Sequence, residues 1–216
     1  MTLKLYTGLG SGNAYKAELM LHLLDLAYES VSVSVPRGEH RHPDFLRLNP
    51  FGQIPVLVDR DRVLTDSQAI LAYLATAYGG ADTERWFPRD ASQLAATMRW
   101  LSVAGNEIQN TLTTARAIKL LRWPLDYDRA VQRSYALLAL MNEHLRERDW
   151  LATSSATIAD IACYPYLFLA AEGGIDTRPY PAVEAWLRRL ESLPRFWPMP
   201  RIPNLPPVPL VPPPDA

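Results

Sequence analysis

Short apolar runs alternate with polar punctuation from the start of the chain, in the order strand, helix, strand, hairpin, helix. Leu3 to Thr7 reads as a short strand, and Gly8, Gly10, Ser11 and Gly12 supply turn chemistry behind it. Tyr15, Leu19, Leu23 and Leu26 then recur at helical spacing, widened by Met20 and Leu24, while Lys16, Glu18, His22 and Asp25 fall largely off that stripe. The pattern predicts an amphipathic helix lying on a sheet. Val31, Val33 and Val35 alternate with serines up to Pro36, the period-two signature of a half-buried strand, so the first two strands should run parallel. Ile54 to Asp59 and Val63 to Thr65, joined by the polar turn Arg60-Asp61-Arg62, read as an antiparallel hairpin. Asp66 and Ser67 offer N-cap chemistry for a helix carrying Ile70, Leu71, Leu74 and Tyr78, which Gly79 and Gly80 stop.

Strand signals end there. The stretch from Ala81 to Asp90, with Pro88 inside it, reads as a linker. Helical patterning then covers Ala91 to Leu121, Tyr127 to Arg148, Thr157 to Glu172 and Pro181 to Ser192, with Trp123 and Pro124 as breakers, Asp126 as an N-cap, and Gly173 and Gly174 as a stop. Pro165 should kink the third of these helices. The expected organisation is an α/β domain over 1–80, a linker over 81–90, an all-helical domain over 91–197 and a proline-rich tail over 198–216. That tail can be neither helix nor central strand. A terminal strap or a disordered end is preferred over a polyproline ligand.

Composition narrows the chemistry. A formal net charge of −1, with arginines interleaved among acidic residues, offers no one-sign patch to nucleic acid or anionic lipid. No run is long and apolar enough for a membrane span, and no basic stretch with a following apolar region marks a secretory signal, so a cytoplasmic location is expected. The single cysteine, Cys163, lies in an apolar helical stretch and reads as a buried small hydrophobe, not as part of a disulfide or metal site. His40 and His42 lack a third ligand at an accepted spacing, so no metal is expected.

The segment Asn49-Pro50-Phe51-Gly52-Gln53-Ile54-Pro55-Val56-Leu57, followed by Leu64-Thr65-Asp66-Ser67, resembles the glutathione transferase family, and Thr157-Ile158-Ala159-Asp160 is similar to that family's helix-capping box. The resemblance implies a thioredoxin-like N-terminal domain, βαβ then ββα, plus an all-α C-terminal domain. It also implies glutathione as co-substrate, a cis peptide bond at Pro55, and an Ile54 backbone that pairs with the cysteinyl part of glutathione as an added strand. By the same resemblance Ser67 would hold the γ-glutamyl carboxylate at a helix N-terminus, Asp66 would answer the ammonium, Gln53 would add an amide contact, and His40 would lie near the glycyl end. For Pro55, Asp66 and Ser67 taken alone, an edge-strand proline and plain helix capping are the ordinary readings.

Where thioredoxin-like redox proteins carry a reactive cysteine, this chain has Gly10-Ser11-Gly12-Asn13. A hydroxyl or amide donor near a helix N-terminus can favour the thiolate of bound glutathione, with Ser11 the first choice, Asn13 the second, and Tyr6 a weaker third. The resemblance further implies a small electrophilic second substrate, with Asn106, Asn110, Thr114, Arg116 and Trp123 as candidates to line its pocket. It also implies a homodimer in which Phe51 plugs into the partner. Glutathione-dependent disulfide reduction or dehalogenation, and a non-catalytic interaction or chaperone module on the same scaffold, remain open beside the transferase reading.

Overall fold

A computed structural model describes residues 3–214; Met1, Thr2, Asp215 and Ala216, the outermost residues of the expected first domain and of the tail, lie outside the described residues. The chain divides into two compact units, one running to Phe87 and taking in Leu193–Pro203, the other spanning Pro88–Ser192 together with the chain from Asn204 onward.

In the first unit β1 (Leu3–Thr7), α1 (Gly12–Leu23), β2 (Tyr28–Ser32), α2 (Pro43–Leu48), β3 (Val56–Asp59), β4 (Arg62–Thr65) and α3 (Ser67–Tyr78) follow in order. The four strands form one sheet in the order β2-β1-β3-β4, with β1 parallel to β2 and the other pairs antiparallel. This is the expected βαβ-ββα arrangement. The second strand begins and ends earlier than its valine alternation suggested. Its register runs from Leu3 opposite Tyr28 to Thr7 opposite Ser32, so β1 gives it no partner further on. Val33 still donates its N–H to the Thr7 carbonyl and is buried, whereas Val35 is exposed.

The first helix also departs from its pattern. It stops at Leu23, and Asp25 takes a left-handed φ of 56° that turns the chain before Leu26. It is buried well beyond one stripe: Ala14, Tyr15, Ala17, Leu19, Met20 and Leu21 are all in the core, and so is Lys16, at 1 % exposure. A helix carrying lysine and glutamate at its polar positions reads as half-solvated. Here it is a central element, packed on β1 and α3 and covered by the returning chain end.

That returning segment clasps α1 and the turn behind it at three points. Tyr15 donates its hydroxyl to the Trp197 carbonyl, the His22 ring stacks on the Trp197 indole with centroids 4.4 Å apart, and Arg195 pairs with Asp25 at 3.1 Å. Further on, Val211 donates its N–H to Gly174 at 2.8 Å and its carbonyl accepts from the Tyr135 hydroxyl, which fixes the tail to the second unit.

The expected linker is not open chain: α4 (Thr83–Trp86) lies within it, with Trp86 buried. The second unit is helical, with α5 (Ala91–Gly105), α6 (Thr114–Leu121), α7 (Tyr127–Leu145), α8 (Ile158–Phe168) and α9 (Pro181–Glu191). The long helix expected from Ala91 to Leu121 is interrupted by a π-helical stretch at Gln109–Thr113. Arg116 and Glu172 form a nearly buried ion pair at 2.7 Å, and the Tyr127 hydroxyl donates to Gly173. Pro165 lies inside α8, and the Thr157–Asp160 capping box is present at its start. Cys163 is buried, its thiol directed at the Trp100 carbonyl.

Candidate active site

The sheet register brings the motif residues together. Val56 lies opposite both Tyr6 and Thr65, so the chain leaving β1 at Gly8, the chain entering β3 through Ile54 and Pro55, and the chain leaving β4 at Asp66 all meet at one end of the sheet. Side-chain contacts confirm the closeness. A Cβ on Gly8 would meet the Ile54 side chain at 2.6 Å, so only glycine lets the β1–α1 loop approach this close. A Cβ on Gly52, whose φ is 61°, would meet the Arg41 guanidinium at 2.9 Å and the His40 carbonyl at 3.0 Å, which sets the His40 turn against the Gly52–Pro55 segment.

Ile54–Pro55 is cis. Ile54 precedes the first ladder residue, Val56, by two positions, so its N–H and C=O lie outside the sheet's own pairing. Its side chain packs, as do those of Tyr6 and Leu48, against the Val33–Phe45–Val56 cluster. Asn49 stabilises the approach to it by donating to the Gln53 carbonyl at 2.7 Å and accepting from the Phe51 N–H at 3.1 Å. The Gln53 side chain is exposed.

Two helix N-termini face this end. Ser11 caps α1, its hydroxyl oxygen accepting from the Ala14 N–H at 3.2 Å, which leaves its O–H free to donate elsewhere. Asn13, two positions on, accepts the Lys16 ammonium on Oδ1 at 2.8 Å, leaving the Nδ2 donors for another partner. At α3, Asp66 adopts φ 70° and accepts both the Gln68 and Ala69 N–H groups through Oδ1, at 2.9 and 3.0 Å. Ser67 follows as the first helical residue and is buried. Both ends thus concentrate N–H donors and positive dipole where an anion could sit.

His40 lies in a short turn, Glu39–Arg41, and its Nδ1 is buried with no hydrogen-bond partner. His42 caps α2 instead. Among the described residues no group of acidic, histidine or cysteine side chains is arranged to hold a metal ion. Tyr6 is set apart from Ser11. It packs edge-on against Phe45 and lines a cleft of about 610 Å³ with Val31, Val33 and Leu48, whereas Ser11 lines a separate cavity of about 200 Å³ with Thr7, Glu18, Ser32 and Met199. Among the helical-domain candidates, Arg116 is occupied by Glu172, Asn110 bonds to Asn106, and Thr114 bonds back to the Gln109 carbonyl. Arg116 is therefore a structural ion-pair partner.

Two residues beside Ser11 and Asn13 had no place in the sequence reading of this site: Lys16, placed largely off the apolar stripe of α1, and Met199, in the tail. The three-residue step from Asn13 to Lys16 on one helix face was the available signal for the first. Nothing local could have announced the second.

Residues 1–76 match the model of the glutathione S-transferase N-terminal domain and residues 124–194 that of the C-terminal domain. The chain is 35% identical over 207 residues to Glutathione S-transferase 3 of Zea mays, covering 90% of this chain and 91% of that protein. It is 32% identical over 195 residues to Disulfide-bond oxidoreductase YfcG of Escherichia coli K12, covering 84% and 87%. A crystal structure of a glutathione transferase from Pseudomonas putida, with one glutathione disulfide bound per subunit, matches with a TM-score of 0.79 at 27% identity, over 90% of this chain and 89% of that one. The chain belongs to the glutathione S-transferase family.

Proposed function

We propose that this chain is a glutathione transferase, binding glutathione across the sheet end where Ser11, Ile54 and Ser67 meet. The observation that carries the reading is the pair of helix N-termini, at Ser11 and at Asp66–Ser67, set on either side of backbone that the sheet leaves unpaired. In this reading the γ-glutamyl carboxylate lies on the Ser67 hydroxyl and the α3 N-terminus, and the Asp66 oxygen not used for capping answers the ammonium. The cysteinyl backbone pairs with Ile54 beside Pro55, and the glycyl end lies toward His40 and Gln53.

The thiol then lies at the α1 N-terminus, within reach of the Ser11 hydroxyl and the Asn13 amide. A free thiol has a pKa of about 8.5, so little thiolate exists at neutral pH without help. One good donor and a helix end together can lower it by about 1 to 2 units, or roughly 1.4 to 3 kcal/mol. The thiolate sulfur attacks an electrophilic carbon, a C–S bond forms, and the leaving group departs with its electron pair. The protein contributes thiolate stabilisation and proximity with no covalent intermediate.

Calorimetric titration with glutathione, and a thiolate absorbance scan of the complex against pH, tests the reading. Binding with a depressed thiol pKa is expected. Ser11→Ala should keep binding and lose turnover about ten-fold or more, and absence of glutathione binding by the native chain would overturn the assignment. Glutathione-dependent disulfide reduction is the second reading, supported by the similarity to an enzyme named as a disulfide-bond oxidoreductase. A side-by-side assay on an alkyl halide and a mixed disulfide separates the two.

Homodimerisation through Phe51 belongs to the same proposal, supported by its 76% exposure. Sedimentation of Phe51→Asp tests it, and a monomer is expected. A cytoplasmic location is likewise proposed; among the described residues no helix is long and apolar enough to cross a membrane.

A further inference from the structure

Lys16 is buried to 1% exposure on α1, and its ammonium donates to Asn13 Oδ1 at 2.8 Å. Burying an ammonium is costly, and a helix position that needed only packing would be served as well by leucine or methionine. The contact with Asn13 is informative. Asn13 is one residue inside the start of α1, beyond the Ser11 cap, and its amide has two unlike ends. The carbonyl end would repel a thiolate, whereas the NH₂ end would donate to it. An exposed asparagine could turn either end outward. A lysine holding Oδ1 removes that freedom, because the oxygen is committed inward and Nδ2 is left facing away from Lys16.

We propose that Lys16 is a positioning residue for thiolate formation, locking the Asn13 amide so that its Nδ2, and not its Oδ1, is presented to the glutathione sulfur. The proposal rests on the transferase reading above and goes beyond it by assigning a role to a residue to which that reading gives no glutathione contact. It also divides the labour at the sulfur. Ser11 donates a hydroxyl whose oxygen is held by the Ala14 N–H, and Asn13 donates an amide whose oxygen is held by Lys16. In each case the acceptor end is occupied by the protein and the donor end is left for the ligand.

The experiment is the pH titration of glutathione thiolate absorbance in complexes with the full-length native chain, Lys16→Met, Lys16→Arg and Asn13→Asp. Asn13→Asp keeps an oxygen for Lys16 but replaces the amide donor with a second acceptor. The bound thiol pKa is expected to rise by about one unit in Lys16→Met and at least as far in Asn13→Asp, a loss of kcat of roughly three- to eight-fold at neutral pH with KM for glutathione little changed. Lys16→Arg should recover most of the native value. Combining Lys16→Met with Asn13→Ala should cost little more than Asn13→Ala alone, since both remove the same donor.

Should Lys16→Met fail to fold, Asn13→Asp still decides. A bound thiol pKa unchanged in Asn13→Asp overturns the proposal, as does full additivity of the two substitutions. A native chain that binds no glutathione overturns the transferase reading and the proposal with it, so the two failures are distinguishable.

Discussion

Two helix N-termini of this molecule use the same chemistry to opposite ends. At α8 the Asp160 carboxylate is completely buried and every oxygen is engaged. Oδ1 accepts from the Leu151 N–H and the Trp186 indole at 3.0 and 2.9 Å, and Oδ2 from the Thr157 N–H and hydroxyl at 2.9 and 3.2 Å. Burial pushes the Asp160 carboxyl up, against the downward pull of those hydrogen bonds. At α3 the Asp66 carboxylate is exposed, caps through one oxygen only, and precedes a serine whose hydroxyl is not drawn into the capping. A helix start whose donors and acceptors are all satisfied by the protein serves stability. One left partly unsatisfied and open to solvent is available to a ligand.

The comparison can be broken most severely at α8. Asp160→Ala strands two backbone N–H groups and an indole N–H in the core, and a loss of about 3 to 5 kcal/mol in urea unfolding is expected. A loss below about 1 kcal/mol would mean that the buried network is not what holds α8. Ser67→Ala should do the reverse. It should weaken glutathione binding in calorimetry by roughly ten-fold or more, the value of a hydrogen bond to a charged group, while unfolding changes by less than about 0.5 kcal/mol.

Asp66→Ala lies between the two, losing about 1 kcal/mol of cap stability together with glutathione affinity. The smallest effect is at the opposite pole of α1, where burial holds the His22 imidazole below its ordinary value of 6.5 despite the nearby Glu18. The unfolded chain takes up the proton first, so stability should fall as pH drops below about 6.5 toward the depressed folded value. The ring is only partly shielded, and the drift in unfolding free energy from urea titration should stay well under about 1 kcal/mol and vanish in His22→Phe.

How much of this was legible depended on whether the cause was local. The Asn49–Leu57 motif, the Asp66 cap and the Thr157–Asp160 box are short-range patterns, and each is found where its residues suggested. The valines at 31, 33 and 35 misled about strand length because register is set by the partner, and β1 runs out at Thr7. Lys16 misled because hydropathy periodicity assigns a lysine to solvent, and only the fold shows its ammonium turned back to Asn13. The Tyr15–Trp197 contact joins positions 182 residues apart, beyond any pattern in a short window.

That last contact bears on how the protein is made. The first unit draws on residues up to Phe87 and then on Leu193–Pro203, so more than 100 residues are synthesised between its two pieces. At roughly 5 to 20 residues per second the ribosome needs on the order of 5 to 20 s to supply the second piece. Throughout that interval Tyr15 and His22 lack Trp197, and the half of the molecule translated first cannot complete its packing until almost the whole chain has been made.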